Sequence, residues 1–315
     1  MRMLVTGALG FVGRHLTEHL LTCDHDVLKI VHPAEYMEAV AFYSEDSVVG
    51  CDLLDHSKLA AIVEELQPDA IFHLAAFSNP EGSITYTRKT LETNVIGTQN
   101  LLASAHQMND VPRVLLIGSA QQYGRVSEED QPISEDCLQK PLTPYAVSKS
   151  SQELLGQRYF LSEDLPVYWT RSFNHTGPGQ SDMYVCPSFA RQIVEVEKGV
   201  REPEIVVGNL DAQRDFTDVR DVARAYVEII ENGVPGRAYN VCSGVAISTR
   251  QILETLIELS GVDVEVRIDP SKFHTLDAPL IVGNPERLCN EVRWTPVFSI
   301  RDTLQDLLAD CRLRS

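Results

Sequence analysis

The first 175 residues carry two alternating rhythms of apolar and polar positions. Short, almost uninterrupted apolar runs occupy Arg2–Thr6, Val27–Val31, Val48–Cys51, Ala70–Leu74, Val114–Gly118 and Val167–Ser172. Between them, helical patterns fall near 11–22, 56–66, 88–108 and 144–160. Apolar runs without a polar face predict strands buried on both sides, and the intervening helices supply the cover. The expected fold is α/β: a doubly wound parallel sheet of βαβ units, whose ligands sit beyond the carboxyl ends of the strands.

After residue 174 the rhythm loosens. His175–Pro187 is rich in Gly and Pro; then come a helix at Ser188–Lys198, a strand at Glu204–Val207 and a helix at Asp218–Glu231. A strand near Ala238–Val241, a helix at 248–259, a strand at Val264–Ile268 and a terminal helix near 299–313 complete the pattern. The expected division is a main domain over 1–174, to which parts of 209–242 return, and a smaller lobe built mainly from 175–315.

Composition narrows the class. The chain of 315 residues has 27 Lys and Arg against 45 Asp and Glu, a formal net charge of −18. That balance excludes a protein that grips nucleic acid through a basic face, and equally a basic membrane-surface module. No stretch approaches the ~18 apolar residues of a membrane helix. The opening Met1-Arg-Met-Leu-Val-Thr-Gly has no apolar signal region, and seven scattered cysteines without a C-x-x-C pair read as reduced thiols. The expected location is the cytoplasm.

The first strand runs straight into Thr6-Gly7-Ala8-Leu9-Gly10-Phe11-Val12-Gly13. Gly7 permits a tight turn, Gly10 lets amides approach a pyrophosphate, and Gly13 allows close helix–sheet packing. The helix that follows presents N–H groups and a partial positive charge to an anion. This predicts a dinucleotide site. The second strand ends in His32-Pro33 rather than in a ribose-binding acid, which leans toward a 2′-phosphate and hence NADP, with NAD also compatible. A loop histidine touching nothing fits His32 equally. His15-Leu-Thr-Glu18-His19 matches a zinc-hydrolase pattern, yet it lies on the helix the glycine loop opens, so no metal is expected.

A second constellation carries acid–base chemistry. Tyr145 and Lys149 stand at i, i+4 at the start of a helix, placing phenol and ammonium on one face. A phenol of ordinary pKa near 10 is a poor proton carrier at neutral pH, and the ammonium is expected to bring it into range. Ser119, at the end of the fifth strand, is placed to hold a carbonyl oxygen beside that phenol.

The glycine loop together with Ser119, Tyr145 and Lys149 resembles the extended short-chain dehydrogenase/reductase family, over essentially the whole chain. The resemblance implies an NAD(P)-dependent oxidoreductase working as a homodimer through the helices at 88–108 and 144–160. It makes Asp52-Leu53 an adenine contact, Leu74-Ala75-Ala76 the strand end passing under the cofactor, and Asn94 a structural residue. Family dehydratases carry an acid after the strand-five hydroxyl residue. This chain reads Ser119-Ala120-Gln121-Gln122-Tyr123-Gly124, so water elimination is disfavoured.

Arg171-Ser-Phe-Asn174-His-Thr-Gly177 resembles the family's nucleotide-sugar loop, and Gly208-Asn-Leu-Asp-Ala-Gln-Arg214-Asp215-Phe216 its GDP-mannose branch. Asn174 and Arg214 are the implied diphosphate ligands. His274 stands where the branch usually has a second arginine, and Lys272 is close enough to substitute. The implied reaction is reduction of the C-4 ketone of a GDP-4-keto-6-deoxyhexose, GDP-4-dehydro-6-deoxy-D-mannose to GDP-D-rhamnose. A C-4 epimerase, a reductase forming GDP-6-deoxy-talose and, more remotely, a non-catalytic Rossmann sensor are the alternatives.

Overall fold

The computed structural model describes residues 1–273 and 278–314. The chain opens with β1 (Arg2–Thr6), α1 (Phe11–Thr22), β2 (Asp26–Val31), α2 (Tyr36–Phe42), β3 (Val48–Gly50), α3 (His56–Leu66) and β4 (Ala70–His73). It continues through α4 (Pro80–Thr85), α5 (Thr87–Leu91), α6 (Gly97–His106), β5 (Arg113–Ser119), α7 (Pro144–Glu163) and β6 (Val167–Ser172). The second half holds β7 (Asn174–Thr176), α8 (Val185–Glu197), β8 (Glu204–Val207), β9 (Gln213–Asp218), α9 (Val219–Asn232) and β10 (Ala238–Val241). Last come β11 (Ala246–Ser248), α10 (Thr249–Ser260), β12 (Glu265–Ile268), β13 (Leu280–Ile281), α11 (Glu286–Val292) and α12 (Ile300–Arg314).

Seven strands pair in the order β10-β6-β5-β4-β1-β2-β3, every pair parallel. The order reverses between β1 and β4, which is where a doubly wound sheet opens its ligand crevice. One face packs Met3, Val5, Phe72 and Leu115 against Leu16 and Leu20 of α1 and Tyr226, Ile229 and Ile230 of α9. The other packs Leu4, Ile71, Val114 and Leu116 against Leu59 of α3, Leu101 of α6 and Tyr159 of α7. A third core, with Phe189 and Ile193 of α8, Leu253 of α10 and Leu304 and Leu307 of α12, lies in the second half.

The second half does not simply form a separate lobe. Strand β10 extends the main sheet beside β6, and α9 covers the sheet next to α1. Strand β9 instead seeds a small sheet with β7, β11 and β13, and β12 pairs only with β8.

The helix expected over 88–108 is interrupted: α5 passes through a π turn at Glu92–Ile96 before α6 begins. Periodicity cannot register one extra residue in a turn, and such turns cluster at functional sites.

Candidate active site

The reversal between β1 and β4 holds a cavity of about 400 Å³ lined by Gly7, Gly10, Phe11, Val12, Gly13, Leu74 and Ala76 on one wall. Gly7 turns the chain at φ +72°, and a Cβ there would lie 2.7 Å from the amide nitrogen of Ala75. A Cβ on Gly13 would lie 2.2 Å from the Gly7 carbonyl, so α1 can pack onto the loop only without one. Gly10 is the N-cap of α1, with no side-chain cap and no acid in the first turn. The first amides of a helix have no intrahelical acceptor, so this end is shaped for a pyrophosphate. The loop fits a dinucleotide.

A buried polar chain ties that loop to the opposite wall. Thr98 donates to the Asn94 carbonyl at 2.6 Å, so its oxygen accepts from His73 Nε2 at 2.8 Å. The His73 proton is then on Nε2, and Nδ1 accepts from the Thr6 hydroxyl at 2.8 Å. Burial, and secondarily the nearby Lys149, depress His73 to about 3, so it stays neutral. Asn94, in the π turn, grips Phe77 through both backbone groups and donates to Ser148 Oγ at 2.8 Å. Ser148 in turn donates to the Tyr145 carbonyl at 2.7 Å. The strand under the loop and the helix carrying Tyr145 are thereby set relative to each other.

Ser119 ends β5 and caps the short turn that follows, reciprocally with Gln122. Gln122 accepts from the Ser119 amide at 2.8 Å and donates to Glu153 at 2.7 Å, while Glu153 takes the Nε–Nη2 edge of Arg171 with both oxygens. A Cβ on Gly118 would lie 2.2 Å from the Thr170 carbonyl and 2.4 Å from Gln122 Oε1, so this corner admits only glycine.

Thr143 caps α7 on the Ala146 amide and Pro144 starts it, which brings Tyr145 against Ser119. The two side chains line the same cavity, and burial pushes the phenol up to about 12, the proximity of Ser119 offsetting only part. Lys149 lies 6.0 Å from the centre of the Tyr145 ring and donates to the Ile117 carbonyl at 2.6 Å and to Gln152 at 3.0 Å. Burial pulls its ammonium down to about 7. The expectation that Lys149 draws the phenol into a neutral working range is therefore not met: burial dominates both groups, and Tyr145 rests protonated.

Ser119, Tyr145, Lys149 and Asn174 share the cavity with the glycine loop. Other calls fall outside its walls. Ala75 contributes backbone beneath Gly7, Leu9 packs on Val31, Ala39 and Val48 and accepts from Arg14 through its carbonyl, and Leu53 is core, packed on Gly97. Arg214, half-buried on β9, donates to the carbonyls of Gln213 and Ala278 and is one strand position pair from the lining Phe216. His274 lies outside the described residues.

His32 is exposed at the end of β2, but not alone. The Asp52 carboxylate arrives from the loop after β3 to 3.8 Å from its imidazole. An acid thus reaches the end of β2 from the loop after another strand, which reading β2 by itself could not show.

Sequence reasoning missed a second group of lining residues: Ser172, His175, Gln180, Tyr184 and Tyr226. His175 stacks on Phe11 with centroids 6.0 Å apart, and Tyr226 is hydrogen-bonded to Ser172 at 2.8 Å. His175 follows directly on Asn174, so the loop motif was the available signal; Tyr226 sits in an ordinary helical pattern and gave none. His15, half of the zinc-like pattern, donates to the Pro178 carbonyl at 2.8 Å and ties α1 to the second half. Among the described residues no cluster suited to a metal ion occurs. A separate cleft of about 390 Å³ is lined by Arg171, Arg237 and Arg287, each of which is paired with a carboxylate.

A parallel sheet with a glycine-loop cradle facing a Ser–Tyr–Lys set defines a nicotinamide-dependent dehydrogenase or reductase of the extended short-chain type. The GDP-mannose 4,6-dehydratase family matches residues 4–307, and the chain belongs to it. It is similar to GDP-6-deoxy-D-mannose reductase of Pseudomonas aeruginosa, at 34% identity covering 99% of this chain and 98% of that one. It also resembles GDP-6-deoxy-D-talose 4-dehydrogenase of Aggregatibacter actinomycetemcomitans, at 28% identity covering 96% and 97%. Among solved structures it matches RMD from Pseudomonas aeruginosa complexed with NADPH, with a TM-score of 0.88, 33% identity and coverage of 100% and 99%. No helix among the described residues is long and apolar enough to cross a membrane.

Proposed function

We propose that this chain reduces the C-4 ketone of a GDP-4-keto-6-deoxyhexose with NADPH, converting GDP-4-dehydro-6-deoxy-D-mannose to GDP-D-rhamnose. The observation that carries this reading is the cavity wall itself, where Ser119, Tyr145 and Lys149 stand beside Ala120 and Gln121 rather than a carboxylate. Family membership alone would include dehydration, but neither Ala120 nor Gln121 can move the proton that eliminating water requires.

Within this reading the bound nicotinamide supplies hydride to C-4. Ser119 holds the ketone oxygen, and Tyr145 gives it the proton as charge develops there. A phenol raised to about 12 is in the acid form a reduction needs. Lys149 holds the nicotinamide ribose, and Asn174 and Arg214 hold the diphosphate, so that binding energy far from C-4 positions the ketone. NADPH is favoured because a full-length relative binds it and because His32 is exposed at the ribose corner; NADH is the competing coenzyme.

The exposed face of α7 supports the reading of a homodimer. Val147, Leu154 and Leu161 recur every seven residues on it and are 42%, 62% and 77% exposed, beside the exposed Ile96. Such a stripe on a single protomer is covered economically by a second copy. With its free cysteines the chain suits the cytoplasm.

The test is to mix purified protein with the keto sugar and NADPH. Loss of nicotinamide absorbance with a GDP-rhamnose product supports the reading, and no loss with either coenzyme sinks it. The relative that acts on GDP-6-deoxy-talose makes the other C-4 epimer the second reading, which proton NMR of the product separates. Nicotinamide released only on denaturation, without net turnover, marks an epimerase.

A further inference from the structure

We propose that Gln152 is a positioning residue for Lys149: its carboxamide oxygen and the Ile117 carbonyl clamp the ammonium and favour its charged form. This deepens the cofactor reading above and rests on it for the role of Lys149.

Both side chains are almost completely buried, and Gln152 Oε1 lies 3.0 Å from Lys149 Nζ. An ammonium has no lone pair to accept with, so the oxygen of the amide must face it. The amide's other end is anomalous. Gln152 Nε2 is buried without an acceptor among the described residues. A buried donor left unpaired is costly, and a methionine would fill the same space without that cost. A side chain that accepts this penalty is explained by what its oxygen does, and local rules are broken mainly where function requires it.

The surroundings of Lys149 leave the task to this oxygen. The titratable groups around it are Tyr145 on its own helix, which rests protonated, and His73 on β4, which is held neutral. Glu153, the next residue along, turns to Arg171 and Gln122 instead. Desolvation works against the ammonium from all sides, leaving it at about 7. The two carbonyl-type oxygens are the groups placed to offset that desolvation, holding the ammonium with its remaining proton toward the cavity.

The test reads the Lys149 midpoint in two ways, through the pH dependence of unfolding without cofactor and through NADPH affinity by fluorescence. A buried lysine with a low midpoint adds stability as pH rises from that midpoint toward the unfolded value. NADPH affinity should fall over the same range as the ammonium is lost. Q152M, which keeps the shape and drops both the acceptor and the unpaired donor, should move the onset of both effects about one pH unit lower, with an equal or higher unfolding temperature. Q152E should move it up by about one unit or more. An unmoved midpoint in both variants, or a Q152M that only melts earlier, overturns the proposal. Wild-type protein that fails to bind NADPH at any pH refutes the cofactor reading instead, and the unfolding arm still decides the role of Gln152.

Discussion

The corner that presents Ser119 hangs on one buried ion pair, and removing its acid should separate stability from catalysis. Arg171 Nη2 and Nε meet Glu153 at 2.6 and 3.0 Å, with the two side chains 7% and 3% exposed. Burial pulls the guanidinium toward losing its proton, but the Glu153 bonds outweigh it and its pKa is raised. Glu153→Leu leaves that cation buried without its partner, a loss of about 3–5 kcal/mol. At about 2 °C per kcal/mol for a chain this large, the melting temperature should fall by ~6–10 °C. Gln122 loses its best acceptor at the same time, so Ser119 is no longer pinned and the turnover number should drop by roughly tenfold to a hundredfold.

The double variant Glu153→Leu/Arg171→Met is the informative control. Apolar replacement of a whole buried pair is often close to neutral, so at least half of the lost stability should return, whereas activity should not. Melting followed by circular dichroism and steady-state kinetics on the same samples give both quantities. Equal destabilisation of the single and double variants, or full activity in either, refutes the assignment of the pair to the Ser119 corner.

Tyr145→Phe should lower the turnover number by ~10²–10⁴ while leaving NADPH affinity, read by fluorescence, unchanged. Lys149 starts at about 7 in the folded chain against an ordinary lysine value when unfolded, so unfolding free energy should rise with pH between the two while cofactor affinity falls. Lys29 is also lowered by burial, and Lys149→Met isolates the contribution of Lys149 by abolishing the fall in affinity. Leu154→Arg, in the middle of the exposed α7 stripe, should convert dimer to monomer in sedimentation without lowering melting temperature at high dilution. Gln121→Glu adds a negative charge to the cavity wall; at less than about 1 kcal/mol in a solvated setting it should raise KM for the GDP-sugar by under about fivefold, and salt should erase the effect.

The parallel sheet was legible because its strands are buried on both faces, so their apolar runs are unbroken and their helical cover is regular. The glycine loop was legible because its spacing is local: Gly13 is forced by Gly7 and Ala8 within the same loop, whereas the contact that forces Gly7 comes from the Leu74–Ala75 backbone across the sheet. What could not be read is what distant segments bring together. Asp52 reaches His32 from the loop after the neighbouring strand, Tyr226 enters the cavity from another helix 81 residues beyond Tyr145, and the π turn aims Asn94 at Phe77 and Ser148. The strand β9 segment carried a recognisable motif, yet its small sheet with β7, β11 and β13 depends on short pairings that no periodicity announces. The pKa order of Tyr145 and Lys149 was likewise beyond the sequence, because spacing gives proximity but not desolvation.

The chain carries a net charge of −18, yet the cavity that is to take two anionic ligands has no Asp or Glu among its lining residues. Among the described lining residues Lys149 is the one lysine or arginine, with its ammonium pulled down to about 7 by burial, and the other polar groups are hydroxyls, amides, the His175 ring and the end of α1. Three acids outside the lining have partners of their own: Glu153 holds Arg171, Asp215 accepts from the Ser243 and Gly244 amides, and Asp52 lies beside His32. Attraction of a dinucleotide and a nucleotide sugar therefore depends on directed N–H groups and one tuned ammonium rather than on a basic surface. That arrangement also explains why the carboxylates of a dehydratase are absent at Ala120 and Gln121: in a site with so little positive charge, an acid there would oppose the binding of the substrate it was meant to convert unless it served the chemistry.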